Sequence, residues 1–325
     1  MTSTNPLRRP SWLDHAIASA LLLITPEYRR VRRAQRQLGR GSTPSLSTPP
    51  AMALDTISLL GEQVRIARHR KPGVPTLLLI CPLPQSLLAF APIWPQLSER
   101  FDLVAVDLPG FGRSSGGVEW MSFEAQGRFL AELIDHLQLQ RPHLVGPDVG
   151  MAAAVACVRQ HPGIAASLVI GDGPALAPSL NGSIINKLVD SGFWRFMVAM
   201  AGSGTFVEAA NRLAYVSYVP NAVEVDDYIR SYAGRLGPIC RWFRDYPTSL
   251  AFTDPALSEL DLPVQVFWGR HDALLLAENA QSLEQRLPRC QLQVLENGGH
   301  FSYQDCAQEF SSMLIRWVES DHLRI

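Results

Sequence analysis

From residue 55 onward, short all-apolar runs alternate with stretches whose apolar positions recur every three to four residues. The runs are "TLLLIC" (76–81), "LVAVD" (103–107), "PHLVGP" (142–147), "SLVIGD" (167–172), "VQVFWG" (264–269) and "QLQVLE" (291–296). Apolar runs of this length without polar alternation predict strands buried on both faces, the mark of a parallel sheet. Earlier, "TISLL" and "QVRIAR" predict a hairpin across Gly61-Glu62. Helical spacing covers 122–137 and 304–319. The alternation implies βαβ units and an α/β fold: a mostly parallel central sheet with helices on both faces. Strand signals vanish between 173 and 255, where helical, aromatic-rich patterns take over, and resume at 263. An inserted helical lid at 173–255 is therefore expected, splitting a core into 51–172 and 256–325.

Residues 1–50 stand apart. They carry eight arginines against Asp14 and Glu27, whereas the whole chain has a formal net charge of −1. "AIASALLLI" (16–24) follows Arg8 and Arg9 in the manner of a secretory signal, but no small-x-small cleavage site follows it. "TPEYRRVRRAQRQLGR" (25–40) predicts a separate helix, with Thr25 as cap, Pro26 in the first turn and Gly39 at its end. Tyr28, Val31 and Leu38 fall near one face and six arginines take the rest. Two readings stay open: an extension packed on the core with a solvated basic face, or a surface helix giving peripheral membrane contact through residues 11–40. "GSTPSLSTPP" (41–50) predicts a flexible linker. No apolar run reaches the roughly 18–20 residues needed to cross a bilayer, so a cytoplasmic protein is expected.

Composition narrows the chemistry. The chain is 47% apolar and 18% charged, and its near-neutral balance gives no reason to invoke nucleic acid. Five cysteines (81, 157, 240, 290 and 306) lack CxxC spacing or a pairing pattern, which predicts free thiols and no metal site. No cofactor is expected, and nothing in the sequence sets an oligomeric state.

The chemistry concentrates at strand ends. "LVGPDVGMAAA" (144–154) has the form of a sharp G-x-nucleophile-x-G turn between a strand and a helix, with Asp148 at its apex. Asp272 follows the strand at 264–269, and His300 lies on a Gly-rich loop after the next one. Nucleophile, acid, histidine in that order predicts that Asp148, Asp272 and His300 converge. Asp172, after the preceding strand, is a rival for the acid.

Over about 55–320 these features resemble the α/β-hydrolase fold superfamily, and specifically its epoxide hydrolase and haloalkane dehalogenase branch, in which an aspartate replaces serine. "CPLPQS" (81–86) stands where relatives carry His-Gly-x-Pro-x-Ser, and "DLPGFGRSS" (107–115) matches as well. An ordinary aspartate carboxyl ionises near pH 4 and needs no base before attacking a saturated carbon. The resemblance implies an ester on Asp148, hydrolysed by water that His300 activates, with Asp272 orienting the imidazole. Backbone N–H groups of Leu83 and Val149 would hold the oxyanion. Dehalogenases of the branch place hydrogen-bond donors at the positions of Val149 and Leu83, and neither side chain here donates. Epoxide hydrolases protonate the opening ring with lid tyrosines, one in a Trp-Tyr-Arg segment. "RWFRDY" matches it with Trp242, Phe243 and Arg244, so the hydroxyl has to come from Tyr246, or from Tyr215, Tyr218, Tyr228 or Tyr232. The expected substrate is a small to medium, neutral, largely apolar molecule. An epoxide is preferred over a haloalkane, and a non-hydrolytic ligand-binding or cyclase-like scaffold is the alternative from another class.

Overall fold

A computed structural model describes residues 6–43, 45 and 52–320. Most of the linker expected at 41–50 lies outside the described residues.

Eight strands form one sheet: β1 (Leu54–Leu59), β2 (Glu62–His69), β3 (Thr76–Ile80), β4 (Asp102–Val106), β5 (His143–Pro147), β6 (Ser167–Gly171), β7 (Val264–Gly269) and β8 (Cys290–Leu295). Their spatial order is β1-β2-β4-β3-β5-β6-β7-β8. β2 runs antiparallel to both β1 and β4, and every later pairing is parallel. The hairpin turns at Leu60-Gly61, one residue earlier than the pattern predicts. Both residues have positive φ, 52° and 83°, the combination whose twist suits a two-residue hairpin. β4, β5, β6 and β7 are buried along their whole length, which explains their unbroken apolar runs. Each fully buried Val, Leu, Ile or Phe contributes about 2 kcal/mol of apolar transfer. On the flanks, the helix Phe123–His136, capped by Ser122, packs on the helix Val149–Gln160, and Ala307–Glu319 packs near the short helix Trp94–Ser98.

Between β6 and β7 the chain inserts four long helical segments: Ser183–Asp190, Gly192–Ala214, Ala222–Tyr232 and Leu236–Thr253. The second is kinked at Gly202, whose φ of 85° breaks the helix. Ion pairs bind the insertion to the sheet domain: Arg65 to Asp227 at 2.8 Å and Arg286 to Asp254 at 2.5 Å. The buried Asp305 carboxylate adds a further tie. It accepts the N–H groups of Val216, Ser217 and Tyr218 from the insertion and that of Gly299 from the loop after β8.

The N-terminal segment forms two helices, Trp12–Leu23 and Pro26–Leu38. Pro26 and Gly39 bound the second as the sequence predicts. Thr25 does not cap it; its hydroxyl donates back to the Leu22 carbonyl at 2.7 Å, satisfying the end of the preceding helix. The first helix lies along Gly192–Ala214. Thr205 donates to Asp14 at 2.8 Å, His15 pairs with Glu208 at 2.7 Å, and Arg212 donates to Ser19 at 2.6 Å. Its seat is thus the insertion rather than the sheet domain.

Candidate active site

The strand β5 ends in a turn whose apex, Asp148, has φ 50° and ψ −126°. A residue with a Cβ is rarely held there. Two glycines permit the turn. A Cβ on Gly146 would lie 2.4 Å from the Gly150 carbonyl oxygen, and one on Gly150 would lie 3.0 Å from that of Ile80. The turn lifts the Asp148 carboxylate off the sheet at the N-terminus of the following helix.

One carboxylate oxygen, Oδ2, accepts the Leu83 N–H at 2.5 Å. The other, Oδ1, stands 3.5 Å from His300 Nε2. His300 Nδ1 lies 2.9 Å from Asp272 Oδ2, and Asp272 Oδ1 accepts the N–H groups of Leu274 and Leu275 at 2.8 and 3.0 Å. The three residues expected to converge do so, at the ends of β5, β7 and β8. Burial alone would lower the His300 pKa. The Asp272 and Asp148 carboxylates outweigh it and hold the imidazole well above its ordinary range.

Asp172 is placed otherwise. It accepts the Gly269 N–H at 2.8 Å and the Ser302 hydroxyl at 2.5 Å, bracing the ends of β6 and β7 against the His300 loop. Burial, with Asp272 adding to it, pushes its pKa well up. The carboxylate bonded to His300 is Asp272.

A cavity opens in front of Asp148 and His300. Leu83, Pro84, Trp242, Phe243 and Tyr246 line it. The Trp242 and Tyr246 rings stack at 5.0 Å and 20°. The buried Trp242 Nε1 has no hydrogen-bond partner, and the Tyr246 hydroxyl makes no well-formed bond, although Asn181 is close enough to influence it. Burial, reinforced by Asp148, raises the Tyr246 pKa, so the phenol keeps its proton and remains a donor. Cys81, at the end of β3, is fully buried and accepts the Leu108 N–H. Burial drives its thiol pKa well up, as befits a packing residue.

Four of the five candidate tyrosines, Tyr215, Tyr218, Tyr228 and Tyr232, do not reach the cavity. Tyr215 donates to Gln304 at 2.6 Å and Tyr218 to Glu224 at 2.8 Å, within a buried network that also contains Gln85 and Tyr303. A tyrosine in a helical pattern gives no sign of whether its hydroxyl meets a cavity or a buried carboxylate. Conversely, sequence reasoning missed Leu21 and Leu22 in the cavity wall, where the N-terminal helix contributes them. The apolar run 16–24 was the available signal.

The network has a pH signature. Burial raises the Glu224 pKa from 4.5 to about 7. A carboxyl raised on folding stabilises the fold below its unfolded pKa, and that contribution is lost as pH rises through about 7. Relative to Glu224→Gln, the wild type is expected to lose up to about 3 kcal/mol between pH 4.5 and 8. Chemical denaturation of both proteins across that range measures the difference, and a constant gap would refute the assignment.

Known proteins agree with this architecture. Residues 75–305 match the family described as "alpha/beta hydrolase fold". The chain is 25% identical over 235 residues to a 2-hydroxy-6-oxononadienedioate/2-hydroxy-6-oxononatrienedioate hydrolase of Cupriavidus pinatubonensis, covering 69% of this chain and 78% of that protein. Among solved structures, haloalkane dehalogenase DbeA from Bradyrhizobium elkani superposes with a TM-score of 0.70 at 20% identity, over 82% of this chain and 97% of that one. Wild-type Cfl2 from Burkholderia cenocepacia gives 0.71 at 19% identity, over 85% and 98%. At such identities these structures establish the fold alone. With its strand order, its strained turn after β5 and a family match spanning most of its length, the chain belongs to the α/β-hydrolase fold family and is a hydrolase of that architecture.

Proposed function

We propose that the protein opens epoxides on small to medium, apolar, neutral molecules through an ester on Asp148, with the helical insertion serving as a lid. The observation that carries this reading is the division of labour within one carboxylate. Oδ2 rests on the Leu83 N–H while Oδ1 faces the cavity and His300.

Oδ1 attacks a ring carbon and the C–O bond of the epoxide breaks. The departing alkoxide takes a proton from Tyr246, whose hydroxyl makes no well-formed hydrogen bond. Esterification removes the negative charge of Asp148, one of the two charges that hold His300 protonated. The imidazole then releases its proton to solvent or to the deprotonated phenol and becomes a competent base. A water gives a proton to His300 and attacks the ester carbon. The resulting oxyanion at Oδ2 is held by the Leu83 N–H, joined by that of Val149 at the helix N-terminus. Collapse breaks the bond from the ester carbon to the old Oδ1, which takes the remaining proton of the added water and departs in the diol, and the oxygen of water completes the Asp148 carboxylate.

The apolar lining favours a neutral substrate. None of the residues lining this cavity is lysine or arginine, and the His300 imidazole is already paired with Asp272 and Asp148, so a dianion of the kind named for the Cupriavidus relative is poorly matched here. Dehalogenation is the second reading, and the unpartnered Nε1 of Trp242, a residue of the cavity lining, favours it, since a free N–H beside an apolar cavity suits a halide. A panel of terminal epoxides and haloalkanes, scored for diol and for halide, separates the two. Tyr246→Phe is expected to lower diol formation about 10²-fold and to leave halide release unchanged. Halide release that fails in Trp242→Phe, without diol formation, would replace the epoxide reading with the halide one.

A further inference from the structure

A helix seated on a protein surface normally turns a polar face to water. The helix Trp12–Leu23 does not. Its inner face carries Ala18 and Leu22, both buried, and its polar side chains Asp14, His15 and Ser19 are bonded to the insertion. The outer face presents Trp12, 80% exposed, and Leu23, 73% exposed, with Leu13 and Ile24 beside them. The insertion adds to this apolar surface. Phe193, Phe196 and Met200, each more than 60% exposed, project from the first half of the kinked helix. Lys187 connects the two elements, its ammonium reaching the Ile24 carbonyl at 3.4 Å and lying over the Trp194 ring. Exposed aromatic and aliphatic side chains at this density mark an interaction surface.

Charge identifies its occupant. The next helix, Pro26–Leu38, carries Arg29, Arg30, Arg32, Arg33 and Arg36, all exposed. The acids nearest in sequence are already engaged, Asp14 by Ser11 and Thr205 and Glu27 by Ser183. Among the described residues, Arg29, Arg33 and Arg36 have no carboxylate within ion-pair distance. Apolar anchors followed by an arginine-rich helix suit an anionic lipid leaflet, where acyl chains receive the former and headgroups the latter. At 12 residues the anchor helix is about 18 Å long, too short to span a bilayer. No helix among the described residues is long and apolar enough to cross a membrane. We propose that this face docks flat on an anionic membrane surface. Because Leu21 and Leu22 of the same helix line the cavity, docking sets the cavity wall beside the leaflet, a placement suited to a lipophilic substrate.

Co-sedimentation of the full chain with vesicles tests this, using phosphatidylcholine alone and phosphatidylcholine with roughly 30% phosphatidylglycerol. Binding to the anionic vesicles is expected to exceed binding to the neutral ones about tenfold or more and to weaken with salt. Two triple variants are informative: Trp12→Ser/Phe196→Ser/Met200→Ser and Arg29→Gln/Arg33→Gln/Arg36→Gln. Each is expected to reduce binding about tenfold or more with an unchanged melting temperature. Absence of wild-type binding, or equal binding by the folded variants, would overturn the proposal. So would a wild-type dimer that the apolar triple variant converts to monomer, because a second copy would then cover the face. The outcome does not depend on the reaction catalysed, so it fails or succeeds separately from the epoxide reading.

Discussion

His300→Gln, incubated with a substrate epoxide, is expected to accumulate a stoichiometric adduct on Asp148 while turnover falls at least about 10⁴-fold. The attacking oxygen is already a free carboxylate oxygen and needs no base, so ester formation survives the substitution. Ester hydrolysis does not, because glutamine cannot accept the proton of water. Intact-protein mass spectrometry reads the adduct as the full mass of the epoxide, and peptide mapping places it on residue 148. A haloalkane would leave its alkyl group without the halogen, so the added mass also identifies the leaving group. Turnover lost with no adduct across a broad panel would contradict a carboxylate nucleophile. Asp148→Asn then serves as the control, inactive and unlabelled.

Asp272→Asn is expected to lower turnover about 10³–10⁴-fold, whereas Asp172→Asn should stay within about tenfold of wild type. The difference follows from what each carboxyl touches. Asp272 bonds the imidazole directly and, in the proposed mechanism, stabilises its cationic form during ester hydrolysis. Asp172 bonds only Gly269 and Ser302, and its raised pKa means that replacing it with a neutral amide removes little charge. Asp272→Asn should also accumulate the ester, since only the second step depends on it. Equal losses in the two variants would reopen the choice of acid.

Much of this architecture was legible because buried parallel strands leave little freedom in composition. Six runs from "TLLLIC" to "QLQVLE" became β3 to β8 with ends shifted by about one residue. Asp148 was legible for a related reason: the turn that exposes it requires Gly146 and Gly150 on either side. The tyrosines were not. Tyr215, Tyr218 and Tyr246 have the same chemistry, and tertiary packing alone decides which hydroxyl is consumed by Glu224 or Gln304. The N-terminal helix shows the same limit. Its apolarity is plain in "AIASALLLI", but whether that apolarity serves a wall, a membrane or a core depends on what stands opposite.

Asp305 has a mechanical consequence. One buried carboxylate grips the peptide chain on both sides, at Val216 to Tyr218 and at Gly299, and the His300 N–H is further pinned to the Ala214 carbonyl at 2.8 Å. The rear of the insertion and the imidazole are thereby riveted together, so a hinge at that end would drag the base out of line with Asp148. The break at Gly202 separates Gly192–Ala201 from that riveted half, so movement of the front segment would leave the alignment of His300 and Asp148 intact.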